Sequence, residues 1–158
     1  PHQTLMELLV ADFDDSTVFR DSKGDFTDIS EWAGIIVEDG NTVIEIDWDR
    51  VPGFEIFDDG YDDSKYDRYP KPGGTIDLTV VPSTVRKLMI PRQELHGTVD
   101  TYSLPRELTT LDIQGNNFHG TFETKGLPVS IDALYVANNQ LTGTIDLAGL
   151  PQGIQGAN

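Results

Sequence analysis

From residue 85 onward the apolar positions fall into a fixed figure. Val85, Leu88, Ile90 and Leu95 are matched by Leu108, Leu111, Ile113 and Phe118, and again by Ile131, Leu134, Val136 and Leu141. Each set reads apolar-x-x-apolar-x-apolar, with Gln93, Asn116 or Asn139 three places after the third apolar residue. The second and third apolar positions are two apart, so both leave a short strand on one face, and their neighbours point the other way. Two independent markers keep the same register. Gly-Thr recurs at Gly74, Gly97, Gly120 and Gly143, and proline at Pro82, Pro105, Pro128 and Pro151, with a spacing of 23 each time. The repeat is therefore genuine, and it comes before any element-by-element reading. A unit this small cannot bury its own apolar edge, so neighbours must stack to close a core. The period predicts Leu88, Leu111 and Leu134 side by side on parallel strands.

The three signatures together, with the Gly-Thr-Ile-Asp-Leu and Leu-Pro elements, resemble the leucine-rich-repeat family over roughly residues 42–158. They look most like the repeats of protist surface proteins and, more loosely, of plant receptors. The resemblance implies a leucine-rich-repeat solenoid with short parallel β-strands on its concave face and an α-helical N-terminal cap. A 23-residue unit carrying proline and Gly-Thr predicts extended or 3₁₀ segments on the convex side. In the family the ladder asparagine satisfies backbone groups of the turn, which would cost about 1–3 kcal/mol each if buried unpaired. Gln93 departs from that pattern and predicts a looser first turn. The glycines suit a tight bend after the strand where a Cβ is excluded, and the prolines preset φ on the outer return path.

One further unit precedes these. Val43, Ile46 and Trp48 match the first three apolar positions, and the 42 residues from Val43 to Val85 are one repeat plus 19. The excess falls at about residues 54–73, an insertion rich in Asp and Tyr. Upstream, Thr4-x-x-Glu7 has the spacing of a capping box, and Leu5, Leu8, Leu9 and Phe13 predict one apolar face of a short helix over residues 4–12. The segment Glu31–Ile36 with the Asp39-Gly40-Asn41 turn resembles the N-terminal cap of plant-type repeats, without its cysteine pair. The chain thus divides into a cap at 1–41 and repeats at 42–158, the last of them incomplete.

Charge sharpens that division. Of 158 residues, 27 are acidic and 11 basic, a net charge of −16. Residues 1–73 hold 19 acidic and 6 basic side chains, against 8 and 5 in residues 74–158. Such a balance argues against nucleic acid as a partner, where phosphate repulsion needs a basic counterweight. No apolar run approaches a membrane span. The start at Pro1 leaves a removed leader and a beginning inside a longer product both open. With no cysteine there is no disulfide and no thiolate metal site. The family resemblance suggests an extracellular, cell-surface or organelle-lumen location, and the lack of cysteine leaves an intracellular one open.

Chemistry is sparse. There is no nucleophile elbow, no His-Glu-x-x-His and no phosphate loop, so no catalytic residue, metal site or cofactor is expected. His96 and His119 occupy equivalent positions and would stack on one flank. Asp77, Asp100, Glu123 and Asp146 form a ladder with two readings, a row of cation sites or carboxylates that accept turn N–H groups. The runs at Asp12–Asp15 and Asp58–Asp63 lack EF-hand spacing, and weak calcium binding and a solvated loop are both open for them.

The outward strand residues define the candidate binding face: Glu45, Asp47 and Asp49; Lys87, Met89 and Pro91; Thr110, Asp112 and Gln114; Ala133, Tyr135 and Ala137. Arg86, Arg92 and Asn138 flank it. Tyr61, Tyr66 and Tyr69 of the insertion offer a second contact area. The expected partner residues are Lys87, Met89, Arg92, Thr110, Asp112, Gln114, Tyr135 and Asn138, with Tyr61 and Tyr66. After Leu150-Pro151 a new unit begins at Ile154 and no polar segment follows, which predicts that this end is covered by another copy, a partner subunit or further residues. The sequence favours a non-catalytic protein-binding module. The alternative is a structural subunit of a larger assembly or fibre, docked through that end.

Overall fold

The computed structural model describes residues 1–50, 63–143, 146–151, 154 and 156–157. The chain opens with one helix, α1 (His2–Val10), and continues through β1 (Ile35–Glu38), β2 (Thr42–Asp47), β3 (Gly74–Thr75), β4 (Lys87–Met89) and β5 (Leu95–Thr98). Then follow β6 (Thr110–Asp112), β7 (Asn117–Thr121), β8 (Ala133–Tyr135), β9 (Gln140–Thr142) and β10 (Gly156–Ala157). The strands form two sheets. One has six strands in the order β1-β2-β4-β6-β8-β10, the other four in the order β3-β5-β7-β9.

In the six-stranded sheet only β1 and β2 are antiparallel, joined by a turn in which Asp39 and Gly40 both take positive φ, at 50° and 81°. The other pairs are parallel, and Ile46, Leu88, Leu111 and Leu134 are successive register partners. All four are buried. The repeat thus does what its period predicts. Each chain turn ends on the same face as the last, and one apolar cluster runs through them, including Val43, Trp48, Val85, Ile90, Leu108, Ile113 and Ile131. Burial of each such side chain stabilises by about 1.5–3 kcal/mol.

The second sheet was not anticipated. The Gly-Thr pairs at Gly74, Gly97 and Gly120 do not bend away from a strand; they lie in one, and Gly97 and Gly120 face Phe118 and Leu141 across it. A Cβ on Gly97 would come within 2.5 Å of the Ile76 carbonyl oxygen, so the close approach of neighbouring backbones requires glycine there. Register in this sheet couples residues 21 apart rather than 23. Equivalent residues are therefore offset by two along it. His96 lies opposite Thr75 and Asn117, and His119 opposite Thr98 and Gln140, so the two histidines do not stack as expected.

Short 3₁₀ turns follow at Leu78–Val80, Thr101–Ser103, Thr124–Gly126 and Leu147–Gly149. Their acidic ladder is structural. Asp77 accepts from the Thr79 N–H, Asp100 from Tyr102 and Asp146 from Ala148, at 2.9–3.1 Å. Glu123, one methylene longer, makes no such bond. Each proline then accepts, through its carbonyl, the N–H three residues on: Val85, Leu108, Ile131 and Ile154.

The ladder amides hold successive turns together. Asn116 Oδ1 accepts from the N–H groups of Gln93 and Leu95, while its Nδ2 donates to the carbonyls of Ile90 and Ile113. Asn139 repeats this with Phe118, Ile113 and Val136. Gln93 is 2% exposed and donates at 2.9 Å to the Trp48 carbonyl, the counterpart of Ile90 one unit earlier. Its extra methylene is accommodated by a changed turn, in which Glu94 as well as Arg92 adopts positive φ.

The N-terminal segment corrects the expected helix. α1 begins at His2 with Pro1 at its N-cap and no side-chain cap, so Thr4 is not a capping residue. The buried face is Met6, Leu9, Val10 and Phe13, spaced 3, 4 and 7 from the first, whereas Leu8 is 55% exposed. Of the anticipated face Leu9 and Phe13 are buried as expected, whereas Leu5 is half-buried and Leu8 exposed, with Met6 and Val10 buried instead. Polar ends fasten the helix: His2 Nδ1 accepts from the Val43 N–H, and Gln3 bonds Ile29 N–H and the Thr27 carbonyl. Beneath it Phe13, Phe19, Trp32 and Trp48 pack ring to ring. Trp48 also donates through Nε1 to the Ala33 carbonyl.

Candidate functional site

Alternation along the parallel strands of the six-stranded sheet leaves one face free of the core. Two rows of side chains cross it in register. The first is Glu45, Lys87, Thr110 and Ala133; the second is Asp47, Met89, Asp112 and Tyr135. Lys87 is exposed, and Met89, Thr110, Ala133 and Tyr135 are half-buried. The backbone beneath is pinned beyond the strands themselves. Trp48 N–H donates to Met89, Ile90 to Asp112, Ile113 to Tyr135 and Arg92 to Gln114, at 2.8–2.9 Å. Past the strands the chain turns through left-handed residues at one equivalent position, Arg92, Gly115 and Asn138, with φ of 54°, 69° and 56°.

Electrostatics on this face are local. Arg92 Nη2 lies 2.6 Å from Asp49 Oδ1. Sequence offered no signal for that pair, whose members are 43 residues apart. Asp47 accepts from the Asp49 N–H at 3.0 Å. Burial pushes the Asp47 carboxyl above its ordinary value, and the nearby Asp49 charge adds to this, against the Asp49 N–H bond and Lys87. Asp112 is pushed up in the same way, chiefly by burial, with its Gln114 bonds and Arg92 acting in the opposite sense.

Asp112 requires a correction. It was expected to present its carboxylate to a partner, but it is 5% exposed. Its Oδ1 accepts from the Gln114 N–H and its Oδ2 from Gln114 Nε2, so the side chain folds back over its own turn. Gln114 covers it and is itself half-buried. Arg92 and Asn138 are exposed at the rim, and Pro91 is buried. In the insertion, Tyr66 is also corrected. It sits in the 3₁₀ segment Asp63–Arg68, 7% exposed, with its ring edge-on to Tyr69 at 5.3 Å. Tyr61, with the rest of 51–62, lies outside the described residues. Upstream, Asp15, Asp21 and Asp28 each accept from N–H groups of their own turns. Among the described residues no helix is long and apolar enough to cross a membrane.

No protein-family model and no curated protein matches the sequence. Solved structures do. The BIR2 ectodomain from Arabidopsis thaliana superposes with a TM-score of 0.66 over 99% of this chain and 77% of that one, at 16% identity. The fold is of the leucine-rich-repeat type. The BIR3–SERK2 complex from the same plant gives a TM-score of 0.52 at 19% identity, covering 98% of this chain and 92% of that one. At such low identity the likeness carries the fold and nothing of the residues. In this leucine-rich-repeat fold the in-register rows come from four successive turns of chain, and the ladder amides that fix those turns are what the sequence pattern foretold.

Proposed function

We propose that this chain is a non-catalytic recognition module that binds a protein partner through the outer face of its six-stranded sheet. In this reading residues 42–158 form a solenoid whose concave side carries that face, and residues 1–41 cap its N-terminal end. The observation that supports it is the pair of register rows across β2, β4, β6 and β8, which places Lys87, Met89, Thr110 and Tyr135 side by side on a backbone held by buried amides. Met and Tyr are residue types that anchor interfaces, because each contributes a large contact area for little rotamer loss. A structural neighbour is solved as a complex of two proteins, BIR3 with SERK2, which is consistent with a fold that serves protein association. Fold alone licenses no chemistry.

The test is a comparison of two double variants against a partner captured by the intact chain. Met89→Ala with Tyr135→Ala weakens binding about tenfold or more, while stability changes by about 1–2 kcal/mol. Tyr102→Ala with Val129→Ala, at exposed positions away from the face, leaves affinity unchanged. The opposite ranking, measured by interferometry, would overturn the proposal.

A further inference from the structure

β1 is the outermost strand of the six-stranded sheet, with β2 on one side only. Along an antiparallel pair, residues alternate between exchanging both backbone hydrogen bonds and exchanging none. The Gly34 carbonyl accepts from the Asp47 N–H at 2.8 Å, which fixes the phase. Val43, the partner of Val37, donates its N–H to His2 Nδ1 and accepts the Thr84 hydroxyl at its carbonyl, so that pair exchanges none. The N–H and C=O groups of Ile35 and Val37 therefore point off the edge of the sheet, and among the described residues no hydrogen bond from another segment meets them. This edge lacks the usual guards. Ile35–Glu38 holds no proline or lysine, and Ile36 is 48% exposed. The one irregularity lies on the inner side, where β2 carries Ile44 as an extra residue.

We propose that β1 receives an extended segment of a partner protein as a further strand of the sheet. A row of unpaired backbone donors and acceptors is complementary to another strand's own row, which supplies affinity whatever the sequence. Side chains set the preference through cross-strand pairs. Ile36 and Glu38 share the face away from the core, so an apolar residue beside Ile36 and, two places along, a lysine or arginine beside Glu38 complete that side. On the other side Ile35 and Val37, partly buried against the core, are covered by apolar residues of the added strand. A second copy is disfavoured as the occupant. Residues 1–73 hold 19 acidic and 6 basic side chains, and pairing two such edges brings those halves together. The edge adjoins the recognition face through the Ile36–Glu45 pair, but its backbone groups accept a strand whether or not that face binds.

Random peptides displayed on phage and selected on the intact chain supply the probe. Amide hydrogen exchange, read residue by residue by NMR, follows the chain with and without each selected peptide. In the free chain the Ile35 and Val37 N–H groups exchange rapidly; slow exchange there would mean that the edge is already covered and would overturn the proposal. Selected peptides are expected to slow both about tenfold or more and to carry the apolar-x-basic pattern. Methylating alternate peptide nitrogens keeps charge and side chains and removes the slowing. Val37→Pro deletes an outward donor without costing β2 a bond and lowers affinity about tenfold, whereas Val37→Ala, which trims the side chain alone, lowers it less. Urea midpoints check that both variants fold. An empty selection, or binding that leaves Ile35 and Val37 unchanged or survives methylation, sinks the idea. If such binding falls instead with Met89→Ala and Tyr135→Ala, the face stands without the edge. Slowed exchange at Ile35 and Val37, with those two variants binding normally, leaves the edge standing without the face.

Discussion

Asn116 carries its amide into the interior and serves five backbone groups there, two as acceptor and three as donor. Asn116→Ala strands those groups in a site that is 5% exposed, so it lowers unfolding free energy by about 3 kcal/mol or more. Urea titration checks this, and a loss below about 1 kcal/mol would contradict the ladder's role. Asp112 tests a different physical term. Because burial raises its carboxyl above the unfolded value, the folded protein takes up that proton at the higher pH, and stability from this group falls as pH rises through the raised value. Asp47 shares the sign. Asp15 and Asp28, held below the ordinary value by Thr17 and Ser30, have the reverse sign, and their contribution is lost as pH falls through the lowered value. Asp112→Asn keeps an acceptor for the Gln114 N–H and removes the charge. Its urea midpoint at neutral pH should be equal to or above that of the parent, with the difference closing in acid. A loss at neutral pH that disappears in acid would show instead that the carboxylate's charge supports the fold.

At the scale of elements, what could be read in the chain was whatever local period encodes. Strands β4, β6 and β8 follow from apolar residues two apart, and the turn carboxylates from an acid placed before each 3₁₀ segment. The second sheet escaped because its inward residues include glycine, although the alternation Phe118, Gly120, Phe122 was there to find. The helix face was legible in part: Leu9 and Phe13 are buried as expected, but a Thr-x-x-Glu spacing was taken for a cap, and Met6 and Val10 are buried rather than Leu5 and Leu8. That difference is measurable. Leu9→Ala removes a side chain that is 1% exposed and destabilises by about 2–5 kcal/mol, whereas Leu8→Ala at 55% exposure changes stability by about 0.5 kcal/mol or less. Equal effects in denaturant would mean that the helix presents another face. The burial of Asp112 and Tyr66 was hidden for a further reason. Gln114 bonds Asp112 from two residues on and Tyr69 meets Tyr66 from three residues on, local contacts between polar or aromatic side chains that the apolar period does not announce.

For the whole molecule, the proposed recognition face and its rigidity both derive from one arrangement, in which each 23-residue unit lays its strand beside the last without slipping. A slip of one residue would turn Leu111 outward and Asp112 inward, exchanging face for core. The absence of cysteine makes the register open to direct measurement by thiol bridging. Parallel neighbours about 4.8 Å apart suit a short bridge, and Lys87, Thr110 and Ala133 are successive partners on the accessible side. Paired variants Lys87→Cys with Thr110→Cys, and Thr110→Cys with Ala133→Cys, should bridge rapidly under native conditions with a short bifunctional thiol reagent, and slowly in urea. Lys87→Cys with Ala133→Cys, two strands apart, should bridge far more slowly than either. Efficient bridging of that distant pair, or none between the adjacent ones, would contradict the stacking on which the face depends.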